Sequence, residues 1–186
     1  MFLNISSYNT KCYVIFILFF IIFFFPVKHS IYCQESGNQV QLANGIYLVL
    51  DESENLQKIP NANDEQALLV DKHEFFEASA NTPICYLLVS KRSYVPLILE
   101  SLPTKEKAEN GKHILFLKLD EKHVSLFKEF TGKHIGSKAA VIIGSKVVTV
   151  HKIRSEISDG RVQISFCSAN ACEVLYIKLT ESFHLK

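Results

Sequence analysis

The chain has 186 residues, with 20 Lys and Arg against 19 Asp and Glu, a formal net charge of +1, and 48% hydrophobic residues. That length suits one domain of ordinary size with a sizeable core. Near neutrality with both signs interspersed leaves no electrostatic footprint for nucleic acid and no polybasic stripe for a lipid surface, which excludes both as partners of the folded part.

In chain order, residues 12–27, CYVIFILFFIIFFFPV, form an uninterrupted apolar run. As a helix it spans roughly 24 Å against a bilayer core of ~30 Å, between a long signal-peptide core and a short transmembrane helix. Lys11 and Lys28 flank it, so little charge bias sets an orientation. SIYC, ending at Cys33, resembles a bacterial lipoprotein box only loosely, because Tyr32 stands where a small residue belongs. Residues 1–27 are therefore expected to be a signal peptide or membrane anchor, in preference to a lipidation signal. Residues 28–43 then form a tether, and the rest lies outside the cytoplasm, anchored or secreted, in a bacterial periplasm or cell envelope.

Residues 44–110 read as a strand-containing segment. GIYLVLD and ICYLLVS have the aromatic and β-branched content of strands, and ESENLQKIPNANDEQ between them is a polar loop. ALLVDKHEFFEAS suggests a short strand and a helical turn, while TKEKAENG reads as a charged loop. Signals sharpen from Gly111. KHILFLKLD predicts a central strand buried on both faces. Asp120 can cap a helix with Val124, Phe127 and Phe130 spaced three apart and Leu126 widening the stripe.

KAAVIIG and KVVTVH then predict a hairpin, with Gly144-Ser145 favouring a type II′ turn. KIRSEISDG suggests one helical turn stopped at Asp159-Gly160, and RVQISF a further strand. A last helix over 168–180 puts Cys172, Leu175, Tyr176 and Leu179 on one apolar face. The expected fold is α+β: a single small domain whose residues 111–180 run βαββαβα as a sheet with helices packed on one face. The strand-containing segment and an N-terminal hydrophobic helix precede it, and 181–186 is a tail.

Four cysteines follow the apolar run, and an exported compartment permits disulfides in several connectivities. Cys85 and Cys172 can be buried small hydrophobes; alternatively Cys167 and Cys172 can pair across a strand-to-helix corner. No CxxC, HxH or HExxH occurs, so no metal site is expected. The Gly-Ser of IGSKV belongs to a hairpin turn rather than a nucleophile elbow, and GKHIGSK lacks the spacing of a phosphate loop. No catalytic residues and no cofactor are expected, and the chain is not read as an enzyme.

FTGKHIGSKAAVIIGSKVVTVHKIRSEISDGRVQISF, Phe130 to Phe166, resembles the head subdomain of the first large periplasmic domain of SecD and SecDF, accessory membrane proteins of the Sec export channel. The likeness lies at Phe130, Thr131, Gly136, Ala139 to Ile143, Val147, Val148, Ile153, Ile157, Gly160, Ile164 and Ser165. Leu175 and Leu179 fit the leucines of its closing helix. Two positions depart: His151 and Lys152 stand where the family has a proline, and Phe166 where it has a glycine.

The family's transmembrane bundle, which uses proton flow, has no counterpart among the apolar segments here. The resemblance therefore implies a head fold and a contact role without the motor. The expected function is a membrane-tethered, extracytoplasmic protein-binding domain accessory to Sec-dependent export, whose partner is an export-channel subunit or a translocating chain. The alternative is a stand-alone envelope domain with a structural or small-ligand role. The expected contact surface is a strand edge around Lys146, Val148 and His151 with the adjoining Arg154, unless Val148 and Val150 face the core and that edge is covered.

Overall fold

The computed structural model describes residues 41–75, 82–109 and 111–184. The apolar run at 12–27, and with it the expected anchor and nearly all of the tether, lies outside them. Among the described residues no helix is long and apolar enough to cross a membrane.

The described chain is α+β, mostly strand with two helices. In order it forms β1 (Gly45–Ser53), a 3-10 turn (Leu56–Lys58), β2 (Gln66–Asp71), β3 (Cys85–Pro96), β4 (Thr104–Lys107), β5 (His113–Lys118), α1 (Glu121–Lys133), β6 (Lys138–Ile143), β7 (Lys146–Lys152), β8 (Arg161–Cys167) and α2 (Ala169–His184). The strands divide into two antiparallel sheets, one ordered β2-β3-β1-β6-β7 and the other β4-β5-β8. The single βαββαβα sheet expected from 111–180 is thus corrected. β6 and β7 join the first sheet through β1, and β5 and β8 join β4 in the second.

The expected helical turn of KIRSEISDG is likewise absent, and the reason is where its backbone donors go. The Ile153 amide bonds to the Ser137 carbonyl (2.8 Å), extending the β6–β7 ladder. The Ile157 amide bonds to Thr131 Oγ1 (2.9 Å) on α1. With two donors committed to neighbouring elements, the segment runs irregularly from 153 to 160. TKEK errs in the opposite direction. Its four residues are exposed and all but Thr104 are poor strand formers, yet pairing with β5 makes them an edge strand of the kind that charge keeps from aggregating.

The main core lies between the sheets. Leu115, Leu117, Val162 and Ile164 of the small sheet, with Leu119 just past the end of β5, face Ile46, Val95, Val141, Ile143 and Val148 of the large one. Phe127 and Phe130 of α1 and the fully buried Cys172, Leu175 and Leu179 of α2 fill the space between. Burying each large aliphatic side chain there contributes about 1.5–3 kcal/mol. The helices therefore do not line one face of one sheet: α1 packs on β3, and α2 touches both β5 and β6.

Two sequence expectations change with this. β5 is central in its sheet but buries only Leu115 and Leu117, leaving Ile114 and Phe116 half-buried on the other face. Leu126 is 47% exposed and lies off the stripe of Val124, Phe127 and Phe130. Cys172 is disulfide-bonded, whereas Cys85 is a free, half-buried thiol. The side chain of Cys167, expected as a partner of Cys172, lies outside the described side chains.

A second, smaller core of Tyr47, Ala67, Leu69, Leu87, Val89, Ala140, Ile142 and Val147 sits on the other face of the large sheet. The sheet curls around it, so that its edge strands β2 and β7 approach each other. Tyr47 stacks on Tyr94 with centroids 4.7 Å apart and donates to the Ala43 carbonyl (2.9 Å), and burial pushes its phenol up to about 12.

Gly160 fixes the end of the irregular segment. Its φ of +65° lies in the left-handed region, and a Cβ there would stand 2.4 Å from Val124 Cγ2 on α1. We expect Gly160→Ala to cost about 2–4 kcal/mol by denaturant unfolding, strain and overlap adding. Val124→Ala in the same chain should return the overlap part alone; no loss in the single variant would contradict the packing described.

Candidate functional site

β7 turns out from β6 through Gly144 (φ +59°) and Ser145 (φ +61°). Positive φ at both central residues makes this a type I′ turn, not the type II′ turn expected, which needs it only at the first. Side chains pin the turn. The Gly144 amide donates to Asn44 Oδ1 (2.8 Å), and the Leu42 amide donates to Ser145 Oγ (3.0 Å).

Beyond the turn, β7 carries one residue more than β6. Thr149 pairs with Val141 but Val147 pairs with Ile142, so Val148 and Thr149 together fill a bulge. The extra residue exchanges the faces of everything after it. Val147 points into the small core and Val148, 2% exposed, into the main core, while Val150 packs on the small core again. Val148 and Val150 thus face opposite sides, contrary to an unbulged strand. Thr149 and His151 then share a face, and Thr149 Oγ1 hydrogen-bonds His151 Nε2 at 3.0 Å.

That face borders a cleft of about 370 Å³ between the end of β7, α1, the irregular segment and β8. Its floor is apolar, formed by Ile46, Phe127, Phe130, Val141, Ile153 and Val162. Its rim carries His151, Lys152, Arg154 and Arg161, and among the described residues lining it there is no carboxylate. Thr131 holds one wall to another: buried, it donates to the Phe127 carbonyl (2.8 Å) within α1 and accepts from the Ile157 amide.

Of the four edge residues read from sequence, the structure brings two together. His151 and Arg154 both border the cleft. Lys146 sits at the opposite end of β7 in an ion pair with Glu74, and Val148 is core. Lys152, Arg161 and the aromatic floor were not singled out in the sequence. Alternation of charge and apolar residues in HKIRSEISDGR was the available signal, but the expected helical turn would have aimed those side chains elsewhere.

The backbone of β7 is as informative as its side chains. Ile153 bonds to the turn just before β6 through both its amide, to the Ser137 carbonyl, and its carbonyl, which accepts from the Gly136 amide (2.8 Å), in line with the β6–β7 ladder. Antiparallel alternation therefore turns the peptide groups of Val150 and Lys152 away from β6, toward the open side of the sheet. Among the described residues no hydrogen bond reaches them, although β2 lies nearby. β7 thus ends in a free edge that runs directly into the cleft.

Residues 98–180 match the family described as SecDF, P1 head subdomain, so β4 through most of α2 resembles that head. Among solved structures, one of SecDF, described as a membrane component that enhances protein export, is 23% identical over 46% of this chain and 41% of its own, with a TM-score of 0.41. A second, of SecDF in a super-membrane-facing form, is 24% identical over 45% of this chain and 12% of its own, with a TM-score of 0.38. This chain therefore covers less than half of either. No curated protein matches the sequence.

Desolvation against the cleft wall holds the His151 pKa below its ordinary 6.5, although the outer side of the ring is exposed. Burial, aided by Lys133, moves His134 in the same direction. For a base with a lowered folded pKa, the unfolded chain takes up its proton first as pH falls. Stability is thus intact above pH 6.5 and declines as pH drops through the folded values. We expect the His151 ring protons, followed by NMR, to titrate below 6.5, and His151→Gln to flatten part of the acid loss of stability; an ordinary or raised midpoint would contradict the environment assigned to the ring.

Proposed function

We propose that this chain is an accessory of Sec-dependent protein export whose folded domain receives a polypeptide segment at the free edge of β7, outside the cytoplasm. In this reading the apolar run at 12–27 delivers the domain across the membrane or tethers it there. The role is contact without catalysis. The observation that carries it is the edge itself: unpaired, outward-facing peptide groups at Val150 and Lys152 beside an apolar-floored cleft. An added strand would gain main-chain hydrogen bonds from β7 and place alternate side chains over the cleft. The likeness of residues 98–180 to the SecDF P1 head supports export as the setting.

Lys152→Pro tests this directly. Its amide points away from β6, so proline removes an outward donor and leaves the β6 ladder intact, whereas a substitution at buried Val148 would disturb the core. We expect Lys152→Pro to weaken binding of a reduced, carboxymethylated model polypeptide roughly tenfold or more, with its thermal melt near that of the parent chain. Lys152→Ala, which keeps the amide, should bind within about threefold of the parent. A folded Lys152→Pro chain that binds normally would rule out the edge, and a photo-cross-linker at 152 that captures no polypeptide would do the same.

A further inference from the structure

The rim of the cleft is unbalanced in charge. Arg154 is exposed and has no ion-pair partner among the described residues, and Arg161 has only Asp159, at 3.9 Å and itself largely exposed. Glu156 pairs with Lys128 on α1 (3.5 Å), and neither it nor Asp159 lines the cleft. A basic rim above a floor of Phe127, Phe130 and Ile153 calls for an occupant with both an apolar group and a negative one.

The free edge sets their spacing. A strand laid along the outward peptide groups of Val150 and Lys152 turns every second side chain to the same face, roughly 6.8 Å apart. The bulge at Val148–Thr149 has already put His151, Ile153 and the cleft on one side of β7. A residue of the added strand on that side meets the apolar floor, and its neighbour two positions along stands at the rim, within reach of the arginines, whose forked guanidinium groups suit a carboxylate.

We infer that the cleft selects extended polypeptide segments in which an apolar residue and an acidic residue stand two positions apart. The inference rests on the strand-edge reading above and adds a sequence preference to it. A basic segment is repelled by the same rim, so the selection acts against one class as well as for another.

The test uses the full-length chain in detergent and three fluorescent peptides that differ at one position: Ser-Thr-Leu-Thr-Glu-Thr-Ser, and the same peptide with Gln or with Lys in place of Glu. Fluorescence anisotropy gives the affinities at low and moderate salt. We expect the Glu peptide to bind about three- to tenfold tighter than the Gln peptide, and the Lys peptide to be the weakest. That advantage should shrink with added salt and vanish in R154Q/R161Q, which should hold the Gln peptide as the parent does. Equal binding of all three peptides, abolished by Lys152→Pro, would overturn the charge preference and leave the edge standing. Binding of none of them, with the model polypeptide also unbound, would overturn both.

Discussion

One extra residue in β7 decides what this domain presents. With a regular strand, Val147, Thr149, His151 and Ile153 would share a face, and the hydrophobic pattern of KVVTVH would put them all toward the smaller core. The bulge at Val148–Thr149 lets Val147 stay there, sends Val148 to the main core, and turns His151 and Ile153 to the cleft. Cleft, rim and free edge all follow from that local change of register.

The bulge would be useless without a fixed opposite wall. Segment 153–160 has no regular structure of its own and is held at three points: by the turn before β6 through Ile153, and by α1 both through Thr131 and through the close approach of Gly160 to Val124. Phe130, Thr131, Ile153, Ile157 and Gly160 all belong to the pattern shared with the SecDF P1 head. In this structure they build the floor and its supports. The departures fall elsewhere. His151 and Lys152 stand at the rim where that pattern has a proline, and they keep backbone donors that proline would lack.

Much of the fold was legible because its signals are local. Asp120 capping α1, the Phe127 and Phe130 stripe, the closing helix through Leu175 and Leu179, and the hairpin at Gly144-Ser145 need only neighbouring residues to be read. What was not legible depends on distant partners. TKEK became a strand because β5 offers it a ladder, and KIRSEISDG lost its helical turn because Ser137 and Thr131 took its amides. The division into two sheets turns on β1, which pairs with β6 far along the chain, from Gly45 with Ile142 to Val49 with Lys138. His151 and Arg154 were named from the sequence among four candidate contact residues; the cleft they border was not legible, because a bulge has no reliable signature in a run of β-branched residues.

β7 offers a free, hydrogen-bonding edge beside the cleft. Residue-resolved amide exchange with and without the carboxymethylated polypeptide tests it most directly. The amides of Val150 and Lys152 should exchange quickly in the free domain and become protected when polypeptide is added, while those of Thr149, His151 and Ile153 should be protected throughout. Protection appearing at another strand, or outward amides already protected in the free chain, would contradict it.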